Sequence, residues 1–153
     1  GNTIEFWMKK DSLSTKEVIF SATGSSNYFE ISVKTATPTS MSLALDSTTI
    51  DFDTGLATVA DDTWHHYAIV LGTSASLYVD SRCADEKTHT AYAATMISGL
   101  VGANNSIVDP LDHKLYASLD EFRFWKKART SKQIGRNYIV PIHGGTNTDK
   151  TKY

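Results

Sequence analysis

The chain has 153 residues, of which 41% are hydrophobic and 21% charged, and a formal net charge of −2. That length suits one domain with a full core, and the single cysteine, Cys83, excludes an internal disulfide. The near-neutral charge argues against nucleic acid as a partner, and no apolar run approaches the roughly 20 residues of a membrane span.

The chain enters a strand almost at once, leaving no place for a signal peptide. This suggests a domain cut from a longer protein with further domains. Thr3 to Lys9 alternates at period two, with Ile4, Phe6 and Met8 on one face and Glu5 and Trp7 on the other. Glu17 to Ala22 is β-rich, and Tyr28 to Lys34 alternates with Phe29, Ile31 and Val33 inward. Ser40 to Asp46 repeats the pattern through Met41, Leu43 and Leu45, and Thr49 to Asp53 follows. Trp64 to Leu71 is apolar on both faces beyond His66, as a central strand covered on both sides would be. Ala75 to Asp80 is the next strand, and Ser81 to Thr90 is expected to be a hairpin end and an exposed loop. Ala94 to Gly102 reads as a strand, and Asn104 to His113 as a loop rich in side-chain oxygens.

The last strand, Leu115 to Lys126, places Asp120, Phe122 and Phe124 on the core side. Strict alternation leaves Leu119, Glu121, Arg123 and Trp125 on the other. One helix follows: Thr130 is its N-cap, Gln133 completes a capping box, and Ile134, Asn137 and Tyr138 fill about two turns. About ten short strands without interspersed helices imply an all-β, antiparallel two-sheet sandwich or barrel. The expected organisation is a domain over 1–140 and a polar tail or linker over 141–153.

Four stretches resemble a known family. Thr3 to Lys9 with Asp11-Ser12-Leu13 is similar to the opening of laminin G-like domains of the concanavalin A-like lectin/glucanase superfamily. Asp62 to Ala68 resembles their mid-chain Trp-His-His signature, and Leu77 to Asp80 the strand that follows. Leu119 to Phe124, with Ala128-Arg129-Thr130 and Gln133-Ile134, resembles the closing strand and short helix. Two positions depart from the pattern: Lys10 stands where proline is frequent, and Ser81 where a turn glycine is usual. The resemblance implies a jelly-roll with first and last strands adjacent, and leaves activity open because one fold hosts many functions.

Glucanases of this fold carry two or more carboxylates on one strand as Glu-x-Asp-x-x-Glu, which this chain lacks. Glu5 and Glu121 share a face if the terminal strands pair, and an ordinary pairing with Arg123 is the expected reading. His65 and His66 diverge as strand neighbours and are read as packing and hydrogen-bonding residues. A calcium site, calcium being the candidate cofactor, is expected from the oxygen donors Asn104, Asn105, Asp109 and Asp112, with Asp120 as a second candidate. The competing reading is a solvated loop with Asp120 bonded to backbone. Asn104-Asn105-Ser106 also matches an N-glycosylation sequon.

Trp7 and Trp125, flanked by Glu121 and Arg123, form a candidate carbohydrate platform of stacking rings and polar groups. Against it stands coverage of both tryptophans by Ile134 and Tyr138. The expectation is a non-catalytic binding or adhesion module, a lectin-like part of a larger extracellular, cell-surface or virion-surface protein. The alternative is a protein–protein interaction or structural domain of a virion, phage fibre or other large assembly.

Overall fold

Segments with apolar residues at every second position bury one face only, and packing sheet on sheet satisfies all of them together. The computed structural model, which describes residues 1–13, 15–24, 27–34, 39–55, 58–89, 97–104 and 113–140, takes that solution. In chain order the elements are β1 (Asn2–Lys9), β2 (Glu17–Thr23), β3 (Tyr28–Val33), β4 (Ser40–Leu45) and β5 (Thr48–Asp53). They continue with β6 (Trp64–Leu71), β7 (Ser74–Val79), β8 (Arg82–Thr88), β9 (Ser98–Val101), β10 (Ser118–Trp125) and α1 (Ser131–Asn137). One five-stranded sheet runs β10-β1-β6-β7-β8 and the other β5-β4-β3-β2-β9, with every pairing antiparallel. This is the jelly-roll sandwich expected, with the first and last strands paired.

The core lies between the sheets. Ile4, Phe6 and Met8 of β1 meet Ile31, Leu43 and Phe52 of the facing sheet, all of them fully buried. Phe6 stacks on Tyr67 at 5.6 Å and on Phe122 at 6.1 Å, and Phe122 reaches Phe20 at 5.3 Å. Rings in contact at such distances add to area burial, and truncating Phe6 costs about 3–5 kcal/mol.

The outer side of the first sheet is covered in part by α1. The capping box forms: Gln133 N–H donates to Thr130 Oγ1, and Thr130 N–H donates to Gln133 Oε1. Ile134, fully buried, packs on Ala68, Val70 and Tyr78. That contact is why β6 is apolar on both faces.

Three expectations are corrected. Arg82 to Thr88 is a strand, β8, and not a loop; it is an edge strand with little buried surface, so its polar residues carry no alternation. The alternation of β10 breaks at a bulge, because Glu5 pairs with Arg123 but Trp7 with Asp120, so Glu121 and Phe122 together oppose Phe6. Glu121 takes a positive φ of 51°. The bulge turns Leu119 toward the core and Asp120 outward, the reverse of strict alternation. Phe124 keeps the core side yet is 47% exposed, because β10 is an edge strand and β9, at the corresponding edge, has only four residues.

A buried ion pair closes one corner. Lys10 Nζ, which stands in the proline-rich position of the resemblance, donates to both oxygens of Glu17 at 2.8 and 2.7 Å and to Tyr116 O at 2.9 Å. Glu17 Oε2 in turn accepts from Tyr116 N at 2.7 Å. Both side chains are almost wholly inaccessible. The clamp sets the entry of the chain into β10.

Candidate functional site

Pairing of β10, β1 and β6 puts the outward residues in rows. Trp125, Thr3 and Val70 form one; Arg123, Glu5 and Ala68 the next; Asp120, Trp7 and His66 the third; Ser118, Lys9 and Trp64 the last. The first two rows lie under the segment around α1. Arg129 N–H donates to Thr3 Oγ1 at 2.9 Å, and its guanidinium sits 4.2 Å from the Trp125 ring centre. Arg129 also donates to Glu5 Oε1 at 2.5 Å, to Gln133 O at 2.9 Å and to Asn137 Oδ1 at 2.7 Å.

The last two rows border a groove of about 390 Å³. Its aromatic wall is Trp7, Trp64 and Tyr138; its polar wall is Asp120, Glu121 and Arg123; Ile139 and Val140 complete the rim. Trp64, 44% exposed, presents the most open ring. Trp7 is half-buried and held in place: its Nε1 donates to Tyr138 O at 3.0 Å and its ring stacks on Tyr138 at 6.1 Å. Arg123 is equally fixed. It donates Nε and Nη2 to Glu121 Oε2 at 3.1 and 2.6 Å, and Nη1 to Asn137 O at 3.1 Å. Asp120 is exposed, and its Oδ1 accepts the Glu121 N–H at 2.7 Å.

Under this floor lies a buried polar cluster. Glu5 is fully buried; its second oxygen is 3.9 Å from Arg123 Nη1 and 4.0 Å from His66 Nε2. His66, 1% exposed, lies edge-on to Trp7 at 5.5 Å. Burial above all, with the Arg123 and Arg129 guanidiniums, pushes its pKa down to about 4, so it is neutral at physiological pH. Glu5 does not reverse this, because its charge is committed to Arg129 and Arg123.

His65 points the other way. Its Nδ1 meets Asp80 Oδ2 at 2.7 Å and its Nε2 meets Asp61 Oδ2 at 3.0 Å. Burial acts to lower its pKa, but the hydrogen bonds to Asp80 and Asp61 outweigh it and raise the value.

Of the carbohydrate candidates, Trp7, Glu121 and Arg123 come together in the groove. Trp125 does not; it sits two rows away with Arg129 over its ring. The covering residues differ in kind: Tyr138 stacks on Trp7, whereas Ile134 packs on β6 and β7 and not on a tryptophan. Trp64 and Asp120 join the groove although sequence reasoning gave neither a ligand-facing role there. The cue for Trp64 was its period-two spacing from His66, which puts both on the outward face of β6.

Of the calcium candidates, Asn105, Asp109 and Asp112 lie outside the described residues. Asn104 follows β9, with Oδ1 3.4 Å from the Tyr28 hydroxyl, while Asp120 stands in the groove on the other sheet. Among the described residues these two share no partner. Among the described residues no three His, Cys, Asp or Glu side chains converge to hold a metal ion. The one hydrogen bond of Asp120 among the described residues is accepted from the Glu121 N–H.

The fold is that of a two-sheet, antiparallel sandwich domain. The chain belongs to the concanavalin A-like lectin/glucanases superfamily, its laminin G-like family Laminin_G_3 matching residues 1–135. No curated protein sequence matches it significantly. Solved structures similar in fold include a heptameric SAP-like pentraxin from Limulus polyphemus, with TM-score 0.68 and 16% identity over 92% of this chain and 72% of that one. A candidate carbohydrate binding protein from Bacteroides ovatus has TM-score 0.69 and 15% identity, over 92% of this chain and 41% of its own. The receptor binding domain of botulinum neurotoxin type G has TM-score 0.66 and 10% identity, over 91% and 38%. The chain thus spans under half the length of the last two. Among the described residues no helix is long and apolar enough to cross a membrane.

Proposed function

We propose that this domain is a non-catalytic, carbohydrate-binding module of a larger extracellular or surface protein, and that the groove beside β1 and β10 is its ligand site. The observation that carries this reading is the pairing of an exposed Trp64 ring with Trp7 and Tyr138 opposite Asp120, Glu121 and Arg123. A sugar has apolar C–H faces that stack on rings and hydroxyls that need fixed donors and acceptors, and this groove offers both. Trp7 and Arg123 are held before any ligand arrives, which reduces the ordering cost of binding. The Bacteroides ovatus protein of similar fold, described as a candidate carbohydrate binder, is consistent with it.

The carboxylates favour binding over hydrolysis. Glycoside cleavage needs one carboxyl holding a proton and another free beside the scissile bond. Here Glu5 is buried against Arg129 and Glu121 is tied to Arg123.

A glycan array followed by titration calorimetry tests the reading. The expected result is binding to a defined set of glycans, weakened about tenfold in Trp64→Ala through loss of ring stacking. Absence of binding across varied glycans, or unchanged affinity in Trp64→Ala, refutes it. A calcium contribution from the segment 105–112 is tested by repeating the titration in EDTA; unchanged affinity removes calcium from the reading.

A further inference from the structure

The charges around the groove do not cancel. Arg123 is committed to Glu121 at 2.6 Å, with Glu5 behind it at 3.9 Å. Lys9, in the row beside Trp64, is committed to Asp62 at 3.1 Å. Arg129 is committed to Glu5 at 2.5 Å. Asp120 is left over. It lines the groove, is exposed, and forms no ion pair among the described residues; its one hydrogen bond is to a backbone N–H.

We infer that the ligand is an amino sugar with a free, protonated amine, its ring laid against Trp64 and Tyr138 and its ammonium paired with Asp120. This rests on the carbohydrate reading and names the sugar class. A compact ammonium supplies the three donors and the positive charge that Asp120 lacks. The rings beside it attract a cation through their faces as well as through stacking. An acetylated amine or a hydroxyl brings donors but no charge. An acidic sugar is disfavoured twice: Asp120 repels its carboxylate, and Arg123 already directs four of its five N–H groups to Glu121, Asn137 O and Val140 O.

The test is titration of the full chain with β-1,4-linked oligomers of glucosamine, N-acetylglucosamine and glucose, and with oligolysine, at low and high salt. The expected result is a preference of about fivefold for the glucosamine oligomer, shrinking as salt screens the pair. Asp120→Asn, an exposed near-isosteric change, should lose that preference, while Asp51→Asn on the opposite sheet should keep it. Three results overturn the inference. If the three sugars bind equally, the amine has no role and the carbohydrate reading stands. If oligolysine matches the glucosamine oligomer, charge alone is recognised and the sugar ring is not. If Asp120→Asn keeps the preference, the ammonium lies elsewhere. Binding of none of the sugars refutes both readings together.

Discussion

Replacing His66 by phenylalanine removes the buried imidazole under the groove while keeping a ring against Trp7. In the folded chain His66 titrates near pH 4; in the unfolded chain the value returns to about 6.5. A group whose pKa is depressed by folding stabilises the native state above its unfolded pKa. It withdraws that stability as pH falls, because the unfolded chain takes up a proton that the native state refuses. From these two values the native state loses about 2 kcal/mol between pH 7 and pH 5, and about 3 kcal/mol by pH 4. Other groups titrate in this window too. They are common to both proteins, as is His65, whose raised pKa makes its stabilisation present at low pH and lost as pH rises. The comparison is therefore the difference between wild type and His66→Phe, in urea unfolding followed by tryptophan fluorescence from pH 7 to pH 5. The variant should be flatter with pH by about 2 kcal/mol, whatever its absolute stability. Parallel profiles, agreeing within about 0.5 kcal/mol, refute the account and mean that His66 takes up its proton in the folded chain as readily as in the unfolded one.

Two further predictions follow from backbone and ion-pair geometry. Lys10→Met leaves Glu17 buried without its cation and should cost about 3 kcal/mol in urea unfolding, whereas adding Glu17→Leu should cost little more than the single change. Simple addition of the two single effects would show that the buried pair is not the coupling unit. Ser81→Gly should stabilise by about 0.5–1 kcal/mol, because Asp80 and Ser81 form the β7–β8 turn with φ of 47° and 68°, a conformation glycine enters without strain. A lower melting temperature for Ser81→Gly would contradict that.

Much of the fold was legible because the outer faces of β1, β3, β4 and β5 carry mostly polar residues, even where they are buried as at Glu5, Glu30 and Ser42, so period-two alternation survives in the sequence. The doubly apolar β6 even announced a cover, which is Ile134. What escaped were features that local pattern does not encode. β8 is polar because an edge strand buries little. The bulge at Glu121 uses a positive φ without glycine, so no residue type marks it. Glu5 occupies an outward position and reads as exposed; it is buried because Arg129, 124 residues later, closes over it. The groove was half legible for the same reason. Trp7, Glu121 and Arg123 follow from strand pairing, but Asp120 enters only through the bulge and Tyr138 only through the turn after α1.

Because β1 lies between β6 and β10, both of its edges depend on chain made much later. Its backbone groups find their first ladder only when residues 64–71 exist and their second only when residues 118–125 do. Emerging from a ribosome, the earliest strand of the domain therefore waits, apolar on one face and open along both edges, until nearly all of the rest is synthesised. Closing contacts over such separations makes folding slow and delays its commitment until the last strand of the domain has emerged. In the cell, protection of the nascent Ile4-Glu5-Phe6-Trp7-Met8 segment is then as much a condition of a finished groove as the residues that line it.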